Sequence, residues 1–175
     1  MEAIRFVVDT LLWLLTLAFV LRLLFQLARV DFRDPMADAI VRVTNWLILP
    51  LRRILPPLRK IDTATAVSVV MIAALHTGAL LALGGFVAWD ALAFVRVVAL
   101  GLVEMVLKIY LFALLVYALT SFVVPAGYAP RSRLLAQFCE PVLKPVRRLI
   151  PPIGQIDFSV LWLSIAISAA LILLR

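Results

Sequence analysis

Four long apolar runs divide the chain. The first extends over about 6–28, with an uncharged centre from Thr10 to Leu21. The second covers about 63–89 and carries no charge. The third lies within Leu92 to Val124, read as a span of about 97–124, with Arg96, Glu104 and Lys108 in the first half of the run. The fourth covers about 158–174, at the short end for a hydrocarbon core of roughly 30 Å. None alternates with period two, and lipid leaves only a helix to satisfy the backbone outside a closed barrel, so the pattern predicts four membrane helices. The first run continues too far for the core of a signal peptide and reads as a retained membrane helix.

Polar residues gather between the runs. Residues 29–62 carry seven Lys or Arg and residues 125–157 carry five, together 12 of the 17 in the chain. The positive-inside rule predicts both stretches on the cytoplasmic side and both termini outside, in the periplasm of a bacterium. Arg133, Gln137, Glu140, Lys144 and Arg147 recur at steps of four and three, one face of a helix, while Phe138, Val142, Leu143, Val146 and Leu149 fill much of the rest. Asp38, Arg42, Asn45 and Arg52 mark a similar stripe in the earlier stretch. Both segments are predicted as amphipathic helices lying in the membrane interface, with Pro50, Pro141 and Pro145 kinking or breaking them.

The two halves align without a gap at an offset of 95. Both contain Pro-x-Arg-Arg-x-x-Pro-Pro-x-x-x-Ile-Asp: Pro50, Arg52, Arg53, Pro56, Pro57, Ile61 and Asp62 meet Pro145, Arg147, Arg148, Pro151, Pro152, Ile156 and Asp157. Residues 1–90 and 91–175 therefore read as two repeats, each with two spans and one basic loop, pointing the same way across the membrane. The fold class is an all-α membrane protein. The double prolines stop the loop helix, and Asp62 and Asp157 stand where an aspartate caps the next span and meets its positive end.

Composition agrees. Hydrophobic residues make up 65% of the 175 and charged residues 15%, with a mean hydropathy of +1.12. A soluble fold of this size could not bury so much apolar surface. Most of the net charge of +7 lies in the two basic loops, and no nucleic-acid-reading motif accompanies it. One cysteine, Cys139, and one histidine, His76, form no disulfide and no metal-binding spacing, so neither metal nor cofactor is expected.

The duplicated strings between membrane helices resemble the YggT family of small bacterial membrane proteins over nearly the whole chain. The resemblance implies an inner-membrane protein of two similar modules. It also implies kinship with organelle proteins linked to cytochrome assembly and organelle organisation, and an association with osmotic-stress tolerance and cell-division gene neighbourhoods. It supplies no catalytic residues. The second copy has Gly154 where the first has Arg59.

Arg52, Arg53, Arg147 and Arg148 read as docking points for anionic lipid headgroups or a partner's acidic segment, or as topological anchors, with local pairing to Asp62 and Asp157 compatible with each. Glu104 and Lys108 stand four apart in the order favourable for an ion pair. They read either as part of an ion path or as a pair about 10 Å from the outer end of its helix, within reach of the interface. Arg22 reads as snorkelling from the last third of the first span. His76 reads as hydrogen-bonded between helices, with a proton relay or haem ligand as alternatives. Phosphate loops, nucleophile elbows and zinc-protease motifs are lacking. The sequence therefore predicts a non-enzymatic membrane scaffold or assembly factor. The alternatives are a small oligomeric channel or transporter using Glu104 and Lys108, and a weaker haem-maturation reading through His76.

Overall fold

The computed structural model describes residues 2–56, 62–84, 90–123, 130–149 and 158–174, without the side chains of 121–123 and 130–133. Among the described residues six helices follow one another: α1 (Glu2–Ala28), α2 (Pro35–Ile54), α3 (Thr63–Leu83), α4 (Ala91–Val123), α5 (Pro130–Leu149) and α6 (Phe158–Leu173). No strand occurs among the described residues. Among the described residues three stretches are long and apolar enough to cross a membrane: Glu2–Leu27, Thr63–Leu83 and Ala91–Thr120; α6 is a shorter apolar helix.

Two boundaries differ from the sequence reading. The third apolar helix begins at Ala91, six residues earlier than the predicted span, because Arg96 is tolerated in its first turns. The second ends at Leu83, where the Gly84 N–H bonds back to the carbonyls of Leu80 and Leu81.

Local chemistry sets the other ends. Arg29 follows α1 with φ 56°, the left-handed conformation that ends many helices and that glycine adopts without strain. Asp34 caps α2, its carboxylate accepting the Met36 N–H at 2.9 Å, and Pro35 occupies the first turn, where a missing N–H costs nothing. The helix closes at Leu55, immediately before Pro56. The prolines within the loop helices do not break them: α2 runs through Pro50, and α5 through Pro141 and Pro145. All three prolines face outward, so the carbonyls they leave unbonded lie on the exposed side of the helix.

The chain forms two compact units. The first comprises Met1–Leu27 and Phe32–Val103, the second Ala28–Asp31 and Glu104–Arg175. In the first unit α2 packs on α3 around Phe19, Thr44, Ile48, Ala64, Thr65 and Ser68, all fully buried. Trp46 meets Phe19 edge to face at 6.3 Å. In the second unit α5 packs on α6 around Leu114, Cys139, Leu143 and Ser159. Tyr110 stacks on Phe138 with centroids 4.9 Å apart. The offset of 95 relates the two cores: Phe19 to Leu114, Thr44 to Cys139, Ile48 to Leu143 and Ala64 to Ser159. Among the described residues no buried side-chain nitrogen or oxygen lacks a hydrogen-bond partner.

Candidate functional site

The Arg-Arg pair of α2 divides its labour. Arg52 turns back to Asp62: its Nε donates to Oδ2 at 2.8 Å, and its Nη2 donates to the same oxygen. The Thr65 hydroxyl donates to Oδ2 as well, at 2.9 Å. Asp62 is only 5% exposed. Burial alone would raise its carboxyl pKa, but the hydrogen bonds from Arg52 and Thr65 and the Arg52 charge outweigh it and hold the group below the usual carboxylate range. Asp62 thus stands at the first position before α3, as its place in the sequence predicts, and the guanidinium of Arg52 and the Thr65 hydroxyl take most of its carboxylate. The Thr63 hydroxyl ties the segment further, donating to the Pro56 carbonyl at 2.8 Å.

Arg53, the next residue, is exposed. So are Arg42, Trp46 and Leu49, which with Arg53 form one helical face at steps of four, three and four. Of the polar stripe read from the sequence, Arg42 and Arg52 are exposed and Asp38 and Asn45 are half-buried. The face through Trp46 and Leu49 mixes arginine with large apolar side chains.

Arg22 is the largest departure from the sequence reading. Its side chain does not snorkel: the residue is 5% exposed. Its Nη1 donates to the Val41 carbonyl at 3.1 Å, to Thr44 Oγ1 at 2.7 Å and to Asn45 Oδ1 at 2.8 Å. Three neutral acceptors on α2 replace water around a charge that α1 brings inside. The sequence shows only a Thr44-Asn45 pair in a loop segment and an arginine in an apolar run, with nothing to bring them together.

In the second unit Arg147 corresponds to Arg52. Its Nη1 lies 3.0 Å from Glu140 Oε2, and its Nη2 donates to the Tyr117 hydroxyl at 3.2 Å. Arg148 is exposed, as Arg53 is, and Lys144 lies exposed one turn before it. Pro57, Pro151, Pro152 and Asp157 lie outside the described residues. Cys139 is buried near Arg147, and burial pushes its thiol pKa up to about 11, only partly countered by the Arg147 charge. The thiol is therefore protonated and unreactive near neutral pH.

The remaining candidates are paired. His76 Nε2 lies 2.8 Å from Asp9 Oδ1, joining α3 to α1, so the histidine is hydrogen-bonded between helices as the sequence reading favours. Any ligand taken through Nε2 must displace Asp9. Glu104 Oε1 lies 2.7 Å from Lys108 Nζ. Because α4 begins at Ala91, Glu104 sits about 20 Å from its start, not 10 Å, near the middle of the candidate span. Among the described residues no group of His, Cys, Asp and Glu has the geometry to hold a metal ion.

Comparison with known proteins gives one family. The CCB3/YggT family matches the chain twice, over residues 1–83 and 97–175. An uncharacterized protein of Vibrio alginolyticus is 35% identical over 172 residues, covering 97% of this chain and 92% of its own length. An uncharacterized protein of Pseudomonas aeruginosa is 34% identical over 171 residues, covering 93% of this chain and 83% of its own. The uncharacterized protein YggT of Escherichia coli K12 is 32% identical over 161 residues, covering 91% and 82%. No solved structure gives a significant match. Two family segments in tandem and similarity along nearly the whole length lead to one conclusion: this chain belongs to the CCB3/YggT family.

Proposed function

We propose that this protein is a non-enzymatic scaffold of the bacterial inner membrane. In this reading α1, α3, α4 and α6 cross the bilayer with both termini outside, and α2 and α5 lie along the cytoplasmic surface. The observation that carries it is the division within each Arg-Arg pair: Arg52, although about half exposed, is bonded to Asp62 and Arg147 to Glu140 and Tyr117, while Arg53 and Arg148 are exposed. On α2 the exposed Arg42, Trp46, Leu49 and Arg53 suit a helix half-sunk in anionic headgroups, the apolar groups entering the acyl boundary and the arginines meeting phosphate. Two such platforms in one chain gather anionic lipid and present a basic surface to a membrane or cytoplasmic partner. The process served is envelope homeostasis under osmotic stress.

The test is complementation of a strain lacking the gene during osmotic upshift. Arg53→Ala with Arg148→Ala is expected to insert normally and fail to restore growth. Full growth with that double variant would remove the outward arginines from the mechanism. Ion flux in proteoliposomes that disappears with Glu104→Gln would replace the scaffold reading with transport.

A further inference from the structure

Charged groups in the apolar helices lie in different surroundings: Arg5 and Arg96 are exposed near the helix starts, and Asp9 is about half exposed. Arg22 is wrapped by α2, and His76 is largely buried against Asp9. Glu104 and Lys108 differ: their side chains remain 39% and 58% exposed, near the midpoint of the Ala91–Thr120 span. Phe112, Leu115 and Leu119 continue along the same face of α4, and all three are exposed. The face is therefore a long apolar stripe interrupted by a salt bridge at the depth where lipid solvates charge worst.

We propose that this face is the seam of a two-fold symmetric homodimer, in which Glu104 of each copy also pairs with Lys108 of the other. The occupant follows from charge complementarity. Two copies inserted in the same direction can be related by a two-fold axis along the membrane normal, which brings their α4 helices together in parallel. A two-fold seam is self-complementary: if Glu104 meets Lys108 across it, Lys108 meets Glu104. The two positions differ in height by four residues, about 6 Å, a distance the lysine stem spans. The pair already formed within each copy is retained, and the four groups form a neutral cluster shielded from lipid. Phe112, Leu115 and Leu119 pack against their counterparts along the rest of the seam.

The experiment is cysteine cross-linking in native membranes at chromosomal expression level, with Cys139→Ala removing the only native thiol. Leu115→Cys is expected to give a product of twice the monomer mass on oxidation, and Ile165→Cys, exposed on α6, none. In the Leu115→Cys background, Glu104→Lys alone and Lys108→Glu alone should each lower that product at least tenfold, because each places four like charges at the seam. Co-expressing the two, with different tags, should restore cross-linking between unlike copies only. This rescue distinguishes a contact between copies from a pair that merely steadies one helix, and it shows that both variants fold. No dimer from Leu115→Cys with wild-type charges would overturn the proposal. So would equal cross-linking from Ile165→Cys, a product of another mass from a different protein, or failure of the mixed copies to pair.

Discussion

The two units answer the same packing problem with different chemistry. In the first, a charge on α1 reaches across to α2: Arg22 donates to Val41, Thr44 and Asn45. At the position corresponding to Arg22 the second unit has Tyr117, and the direction reverses: Arg147 on α5 reaches to the tyrosine hydroxyl. Asn45 corresponds to Glu140, so the neutral acceptor of the first unit becomes an anion beside the arginine of the second. Thr44, fully buried and bonded to Arg22, corresponds to Cys139, also fully buried. The repeat thus keeps the positions at which the loop helix is held and lets the donor and acceptor exchange. Arg147 keeps its solvent-side partner Glu140, whereas Arg22 has given up solvent, so the first unit depends more heavily on its contact.

That difference orders the expected effects. Arg22→Ala should destabilise the protein most, by about 3 kcal/mol, because a buried charge-assisted network is lost and a cavity remains between α1 and α2. Denaturation in mixed micelles would measure it, and a loss below about 1 kcal/mol would contradict the burial of Arg22. Asp62→Asn comes next, at about 2 kcal/mol, since Asp62 is buried but Arg52 is 47% exposed and retains water as a partner. The carboxyl of Asp62 sits below its ordinary value in the folded protein, so its contribution is complete above the usual carboxylate range near pH 4 and fades as pH falls through the lowered folded value. Wild type should therefore lose stability on acidification more steeply than Asp62→Asn. Equal slopes would mean that another carboxylate governs the acid limb.

Smaller effects should separate the units further. Tyr117→Phe removes a hydrogen bond of 3.2 Å to a partly exposed arginine and should cost about 0.5–1 kcal/mol, well under the loss at the corresponding Arg22. A cost equal to that of Arg22→Ala would make the two contacts equivalent after all. Arg29→Gly should change stability least, adding a few tenths of a kcal/mol as relief of the left-handed backbone is partly offset by the freedom glycine brings to the unfolded chain.

Much of this architecture was legible in the chain. Apolar runs located every membrane-length helix, and the doubled Pro-x-Arg-Arg string located both loop helices, because those signals are local and repeat. Pairing of Arg52 with Asp62 was foreseen as one local option, the two lying ten residues apart in one motif. Contacts between helices were not legible. Nothing in sequence spacing brings Asp9 to His76, 67 residues on, or pairs Arg22 with Asn45. Proline is an ambiguous boundary signal for a related reason: it breaks a helix only when the carbonyl it frees cannot find another partner, and that depends on which way the face points. Polarity alone marks only part of the outward face of α2: Arg42 and Arg52 are exposed, but so are Trp46 and Leu49, and Asn45 bonds to Arg22.

The central claim is that one arginine of each pair holds the fold and the next meets the membrane. The most direct measurement is retention of phosphatidylglycerol and cardiolipin against phosphatidylcholine, by native mass spectrometry of protein released from nanodiscs, together with unfolding of the same samples. Arg53→Ala with Arg148→Ala should lose at least half of the retained anionic lipid with stability unchanged, while Arg52→Ala should lower stability and keep its lipid. Unchanged anionic-lipid retention in the double variant, or a loss matched by Arg52→Ala, would contradict the division.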